Sequence, residues 1–507
     1  MTAAAGAGRR TEGSAVARNA GASYGERALL MVSALLLTPY LFRGLGVDGF
    51  GTWSLMFTVA TVFTVLELGV SVGVTKFVAD YRALRLDPER DAVVGAAVTL
   101  MALFGIGALA LSLALGFFAT GLAADTEQDA FRTGMIALGV GMLIRFPCVA
   151  YSATLQGYQR YDLTSGALAA TTLVFAAGAV VAVESGHGVA GVAIAYAVSL
   201  AGGGLLFAAM LRRLAPDLPL GPRLQRSDGR AALLKFGSFA LLADSMVFVG
   251  QRMDVVVVAV LRGAAAAAPL AAASKLQSGL QALTLPFIAL LMPMTAELWS
   301  RQQEAEVARR MTLATRVTVQ LSLPIAAWLA LFSVDVVALW LGPTAPPVTA
   351  TIVSVLAVQT LFIASTPAEK VLVGVGRVRT IAWLNTAEGV TNIAISIVLV
   401  ATTGVLGAAI GSLIASAALG PLKLPVACRA VHRPTPRFLR DAIGVPIASS
   451  APAVLAMVAL LLVLDPGTPR LLAGLVVAIV LSGVVALRQI GMARALAILR
   501  RSRSGDR

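Results

Sequence analysis

Stretches of twenty or more apolar residues recur along this chain from one end to the other. Each is long enough to cross a hydrocarbon core of about 30 Å. In lipid, a segment must satisfy its own backbone N–H and C=O groups, which a run of this length does as a helix. The 507 residues are 58% hydrophobic and 13% charged, with mean hydropathy +0.85, whereas a soluble domain carries about 25% charge. We read an all-α integral membrane protein.

Divided at charged and Pro/Gly-rich punctuation, the sequence predicts about fourteen spans, near 27–45, 50–75, 92–119, 131–155, 162–183, 188–211, 232–261, 268–298, 311–335, 350–374, 380–402, 404–428, 441–464 and 470–490. The first residues, 1–24, are small and polar and are expected to form a disordered cytoplasmic tail; without an apolar core they do not make a cleavable signal peptide. A basic tail, 496–507, closes the chain.

The net charge of +14 invites a nucleic-acid reading, but its distribution argues against one. The tails and every second loop, together with the span ends that adjoin them, hold 30 of the 40 Lys and Arg, and the opposite loops with their span ends hold Arg43, Arg132, Arg262 and Arg470 alone. Such asymmetry follows the positive-inside rule and places both termini in the cytoplasm. The two cysteines, Cys148 and Cys428, sit in apolar helical sequence and read as small buried hydrophobes.

The chain also repeats. LQGYQRYDL at 155–163 matches LVGVGRVRT at 372–380 at an offset of 217, and GVAGVAIAYAVSLA at 188–201 matches GVLGAAIGSLIASA at 404–417 at 216, with six of fourteen positions identical. A unit of six spans keeps one orientation, so the copies are parallel repeats related by an axis along the membrane normal. We divide the chain into an N-lobe at 25–215, a C-lobe at 216–430 and two extra helices at 431–495.

No long loop offers a catalytic domain, and His187 and His432 fall on opposite sides. No Gly precedes any of the five lysines, which excludes a Walker A motif. The expectation is therefore a protein without enzymatic chemistry or bound cofactor, driven by H⁺, Na⁺ or membrane potential.

YLFRGLGVDGFGTWSL at 40–55 and LELGVSVGVTKFVADY at 66–81 resemble the opening of the polysaccharide flippases, within the multidrug/oligosaccharidyl-lipid/polysaccharide exporter superfamily. MDVVVVAVLRG followed by PLAAASKL resembles that family's seventh and eighth spans, although Pro269 and Leu270 stand where it usually has an aromatic. LPFIALLMPMTAELWSRQQEAEVARRMTLATRVTVQLSLPIAAWLALFSVDVVALWLG continues the pattern, and the resemblance covers roughly residues 25–430. It implies two pseudo-symmetric six-helix lobes around a central cavity. It also implies outward movement of undecaprenyl-pyrophosphate-linked oligosaccharide by alternating access, in a bacterial cell membrane, alongside polysaccharide polymerase and glycosyltransferases. Two extra C-terminal spans fit the lipid-handling branches. A lipid II flippase and a cation-coupled multidrug exporter are the alternatives of the same fold; a membrane glycan polymerase or acyltransferase is the alternative of another class.

Charges inside the spans are the candidate site. Buried charge in a bilayer is costly and tends to be functional, and Arg offers phosphate a bidentate fork. Arg145, Arg252, Lys275 and Arg43 are the candidate substrate cations, Arg43 having a competing role as a snorkelling helix-end residue. In VGQRMDVVVVAV, Arg252 and Asp254 are two residues apart and do not form a pair along one helix face; Arg252 is expected to face the cavity and Asp254 to border it. Asp244, Glu388 (one turn from Asn392) and Asp254 are candidate coupling or charge-pair residues, Asp254 having Arg252 across a turn or Arg262 as an alternative partner. Glu67 is expected to hold spans 1 and 2 together, and Lys235, Lys370 and Lys423 to anchor helix ends. The glycines Gly44, Gly46, Gly49 and Gly51 read as a tight turn with close helix packing.

Overall fold

A computed structural model of the chain describes residues 2–218, 220–221, 253–284, 288–480 and 483. All regular structure among them is helical, and ten helices are long and apolar enough to cross a membrane. They match ten of the expected spans, the first, the third to sixth and the ninth to thirteenth, and cover part of the second: Gly21–Thr64, Asp87–Phe118, Asp125–Gly157, Tyr161–Glu184, Gly188–Leu214, Glu304–Leu331, Val348–Gly374, Val378–Thr403, Val405–Ala430 and Thr435–Val463. Span 7 lies largely outside the described residues, and Thr468–Val480 is the described part of span 14. The protein is a multi-pass membrane protein.

The chain folds as two compact units, Met1–Ala271 and Ala272–Arg507. The first begins with α1 (Thr2–Leu84), whose helical geometry breaks at Gly46, with φ of 72°. Then follow α2 (Asp87–Phe118), α3 (Gln128–Gly157), α4 (Tyr161–Glu184), α5 (Gly188–Leu214), α6 (253–262) and the first turns of α7 (Ala264–Ala282). Helix α3 packs against both α2 and α5, and its buried face carries Phe131, Met135, Leu138, Met142 and Phe146. Small residues set these helix spacings. A Cβ at Gly51 would lie 2.2 Å from the Ala264 carbonyl oxygen, and one at Gly141 would lie 2.8 Å from that of Ala197. In lipid such close backbone approach supplies the packing that apolar burial cannot.

One expectation needs correction at the start of the chain. Residues 2–24 continue α1 as helix rather than a disordered tail. The stretch is rich in Ala, the strongest helix former, and its end is tied down. Asn19 Nδ2 donates to the Gln159 carbonyl at 2.8 Å, the Asp162 N–H donates to Asn19 Oδ1 at 3.2 Å, and the Ser23 and Ser165 hydroxyls bond at 3.2 Å.

The second unit contains α8 (Leu291–Ser300), α9 (Glu304–Leu331), α10 (Ser333–Trp340), α11 (Val348–Thr360), α12 (Thr366–Gly374), α13 (Val378–Thr403), α14 (Val405–Leu419), α15 (Lys423–Ala430), α16 (Thr435–Leu439), α17 (Val445–Val463) and α18 (Thr468–Val480). One core cluster joins Leu291, Met311, Val371, Leu372, Cys428 and Phe438. The two helices beyond the repeat are keyed to α9. Gln320 bonds to Ser449 and Ser450, and Trp328 Nε1 donates to the Leu471 carbonyl at 3.1 Å.

The repeat is written in the backbone. Left-handed residues recur at the sequence offset: Gly46 and Gly263, Arg85 and Gln302, and Gln159 and Gly376 each lie 217 apart, and Gly188 and Gly404 lie 216 apart. The helix-ending bonds recur with them. Leu86 N–H reaches the Tyr81 carbonyl at 2.9 Å, as Gln303 N–H reaches that of Leu298 at 3.0 Å; Arg160 N–H reaches Leu155 at 3.0 Å, as Arg377 N–H reaches Leu372 at 2.8 Å. A left-handed non-glycine residue costs about 1–2 kcal/mol. These C-terminal bonds, which satisfy otherwise orphaned carbonyls, offset that strain at Arg85, Gln159 and Gln302.

Candidate functional site

In the first unit the sequence-predicted charges converge on one pair. Arg145 lies twelve residues before the end of α3, roughly 18 Å along the helix at 1.5 Å per residue. Its Nε donates to Glu67 Oε1 at 3.1 Å and its Nη2 to Glu67 Oε2 at 2.8 Å. The two side chains are 13% and 11% exposed. Glu67 therefore ties α1 to α3, that is, span 2 to span 4, and not span 1 to span 2 as its place in the sequence suggested. Two local features admit the pair. Pro147, inside α3, cannot donate to the preceding turn. Gly204 on α5, where a Cβ would meet the Arg145 Cα at 3.2 Å, lets that helix close over it.

Beside the pair lies an aromatic group. Tyr196 is within electrostatic reach of both Arg145 and Glu67. Its ring centroid stands 5.6 Å from Trp53, 5.4 Å from Phe57 and 4.9 Å from Phe175, spacings at which tilted and edge-on rings attract.

The second unit holds a separate charge cluster. Lys423, 8% exposed, places Nζ 2.9 Å from Glu388 and 3.5 Å from Glu369, and Lys370 lies 3.5 Å from the other oxygen of Glu369. Lys423, expected to anchor a helix end, is thus a buried ammonium shared by two carboxylates on α12 and α13. One turn from Glu388, the Asn392 Oδ1 accepts from the Ser396 and Ser412 hydroxyls at 3.3 and 3.0 Å. Polar contacts continue through Gln359, whose Nε2 donates to the Ser416 hydroxyl at 3.2 Å and whose Oε1 accepts from Gln277 Nε2 at 2.8 Å. Glu369 was missed in the sequence because no partner lies near it along the chain except Lys370; Lys423 lies 54 residues away. Asp335 was missed for the same reason. Its Oδ2 accepts from Arg470 Nε and Nη2 at 3.0 and 2.6 Å, its Oδ1 accepts the Gly467 N–H at 3.0 Å, and both side chains are buried.

Arg43 is exposed on α1, three residues before the break at Gly46, while Asp254 on α6 and Lys275 on α7 are half-buried. Arg252 and Asp244 lie outside the described residues. Among the described residues, no three His, Cys, Asp or Glu side chains are grouped to hold a metal ion, and both cysteines are free and buried.

A repeated helical fold with ten membrane-length apolar helices among the described residues and ion pairs inside each unit defines a polytopic membrane protein. The family model described as polysaccharide biosynthesis protein matches residues 18–299, more than half of the chain, and the chain belongs to that family. Among solved structures, the inward closed conformation of the lipid II flippase MurJ is similar over 93% of this chain and 99% of its own, with TM-score 0.72 and 13% identity. An inward-facing multidrug resistance MATE family transporter of the MOP superfamily is similar over 79% of this chain and 94% of its own, with TM-score 0.66 and 17% identity. A MOP superfamily transporter from Pyrococcus furiosus is similar over 82% and 95%, with TM-score 0.57 and 16% identity. At these identities the likeness establishes a shared fold. No curated protein matches the chain in sequence.

Proposed function

We propose that this protein is a flippase. It carries lipid-linked, undecaprenyl-pyrophosphate-bound oligosaccharide from the cytoplasmic to the outer leaflet by alternating access, for cell-surface polysaccharide biosynthesis. The observation that carries the reading is the polysaccharide biosynthesis family match over 18–299, the stretch that contains the deep Arg145. The protein's task on this reading is to lower the cost of burying a pyrophosphate, which is several kcal/mol or more per charge in hydrocarbon. Arginine forks do so by charge-assisted bonds. Arg145, Arg252, Lys275 and Arg43 are the proposed substrate cations. Glu388, Asp254 and Asp244 are proposed to take part in coupling to H⁺, Na⁺ or voltage, where each charge moved across 100 mV is worth about 2.3 kcal/mol. On this reading both termini are cytoplasmic, the membrane is the bacterial plasma membrane, and polymerase and glycosyltransferases work on either side of the flip.

A second reading, lipid II transport for peptidoglycan synthesis, is favoured by one observation. The fold likeness to the lipid II flippase extends over 93% of this chain, against 79% for the multidrug transporter. Both readings share the pyrophosphate and differ in the sugar. The test is reconstitution of the purified protein in liposomes with fluorescent undecaprenyl-pyrophosphate oligosaccharide, lipid II or a cationic drug. We expect loss of leaflet protection for the oligosaccharide lipid without ATP. Transport of lipid II alone would select the second reading, and transport of the drug alone would overturn both.

A further inference from the structure

We infer that Glu67 is a positioning residue for substrate. It occupies the fork of Arg145 as an internal anion and must yield that fork when a pyrophosphate binds, so it sets both how tightly an anion is held and how readily it leaves. The inference rests on the pyrophosphate reading above.

The geometry is specific. A carboxylate on the Nε–Nη2 edge of a guanidinium makes the same two parallel bonds as a phosphate does, and Glu67 makes both, at 3.1 and 2.8 Å. While that edge is held, Arg145 cannot offer it to another anion. The two side chains retain 13% and 11% of their exposure, so the pair is not fully sealed and the partner can be exchanged. The exchange also solves an electrostatic problem. An uncompensated guanidinium inside a membrane protein is costly, so the resting unit needs a counter-ion at Arg145, and Glu67 supplies it from the neighbouring helix. A returning Glu67 then competes with the bound anion and promotes its release. Among the described residues, the ionisable neighbours of the pair are Cys148 on α3 and Tyr196 on α5, and neither offers a second anion of comparable strength to take the place of Glu67.

The test measures binding of undecaprenyl pyrophosphate to the full-length protein in phosphatidylcholine nanodiscs, together with flipping in liposomes. Glu67→Gln removes the competing charge and keeps the size. We expect it to bind the probe about tenfold more tightly, within the usual range for energetic coupling between two ligands of one site, and to flip it more slowly. Glu67→Asp, which shortens the reach, should fall between wild type and Glu67→Gln; it carries the test should the Gln variant not fold. Arg145→Lys in the Glu67→Gln background should lose the gain, because a point charge does not make the fork. Wild-type protein that binds the probe while Glu67→Gln, or Glu67→Asp in its stead, binds it equally or more weakly overturns this inference alone. Wild-type protein with no affinity for the probe overturns the pyrophosphate reading and this inference with it.

Discussion

Replacing Lys423 with methionine keeps the length of a buried side chain and removes its charge. The consequence follows from the distances. The ammonium stands 2.9 Å from Glu388 and 3.5 Å from Glu369; taking one partner from a buried ion pair costs about 3–5 kcal/mol, and the lower end applies here because the two carboxylates retain 23% and 17% of their exposure. The two carboxylates do not lose equally. Glu369 keeps Lys370 at 3.5 Å, whereas Glu388 makes no other ion pair among the described residues. Most of the loss therefore belongs to Glu388. In a body the size of the second unit, each kcal/mol moves Tm by about 2–4 °C, so Lys423→Met should melt on the order of 10 °C lower. Neutralising the stranded acid should reverse this: Lys423→Met with Glu388→Gln should recover most of the stability, and Lys423→Met with Glu369→Gln clearly less. Thermal unfolding of the four proteins in one detergent, followed by intrinsic fluorescence, reads the series. Wild-type stability in Lys423→Met, or better rescue through Glu369 than through Glu388, would refute the assignment of a shared buried ammonium.

Asp335→Asn should strand the largely buried Arg470 and lower the stability of the second unit by about 3 kcal/mol, seen as a lower detergent melting temperature; an unchanged melt would mean that the bridge to the first turn of α18 contributes little. Gly51→Ala places a methyl 2.2 Å from the Ala264 carbonyl oxygen, so it should cost about 1–3 kcal/mol through forced separation of α1 and α7, whereas Gly107→Ala, with open space around the Cβ, should be neutral; equal stability of the two variants would contradict the close contact. For orientation, cysteines introduced at Asp125 or Gly342 should react with an impermeant maleimide in intact cells, and cysteines at Arg85 or Arg377 only after lysis. The reverse pattern would overturn the proposed topology and the direction of transport with it.

Much of this molecule was legible from residue order because the governing signals are local and periodic. Span length is fixed by bilayer thickness, and the repeat by an offset that the backbone reproduces at Gly46 and Gly263 and at Gln159 and Gly376. The helical tail before residue 24 was misread because it has no apolar periodicity. What holds its end is a bond from Asn19 to a loop 140 residues away.

The sequence by itself thus determined that the chain crosses a membrane repeatedly as helices, that it repeats at an offset of about 217 residues, and that Arg145, Glu67 and Glu388 are the charges to explain. Only the tertiary structure decided their partners. The repeat maps turns onto turns, but the charges break it: Glu67 and Arg145 meet across 78 residues in one unit, and Lys423 meets Glu369 and Glu388 in the other. An ion pair depends on which helix faces come together and at what depth, and those are properties of packing between segments far apart in the chain. Helical periodicity tells which residues share a face; it carries no information about which distant helix that face will meet.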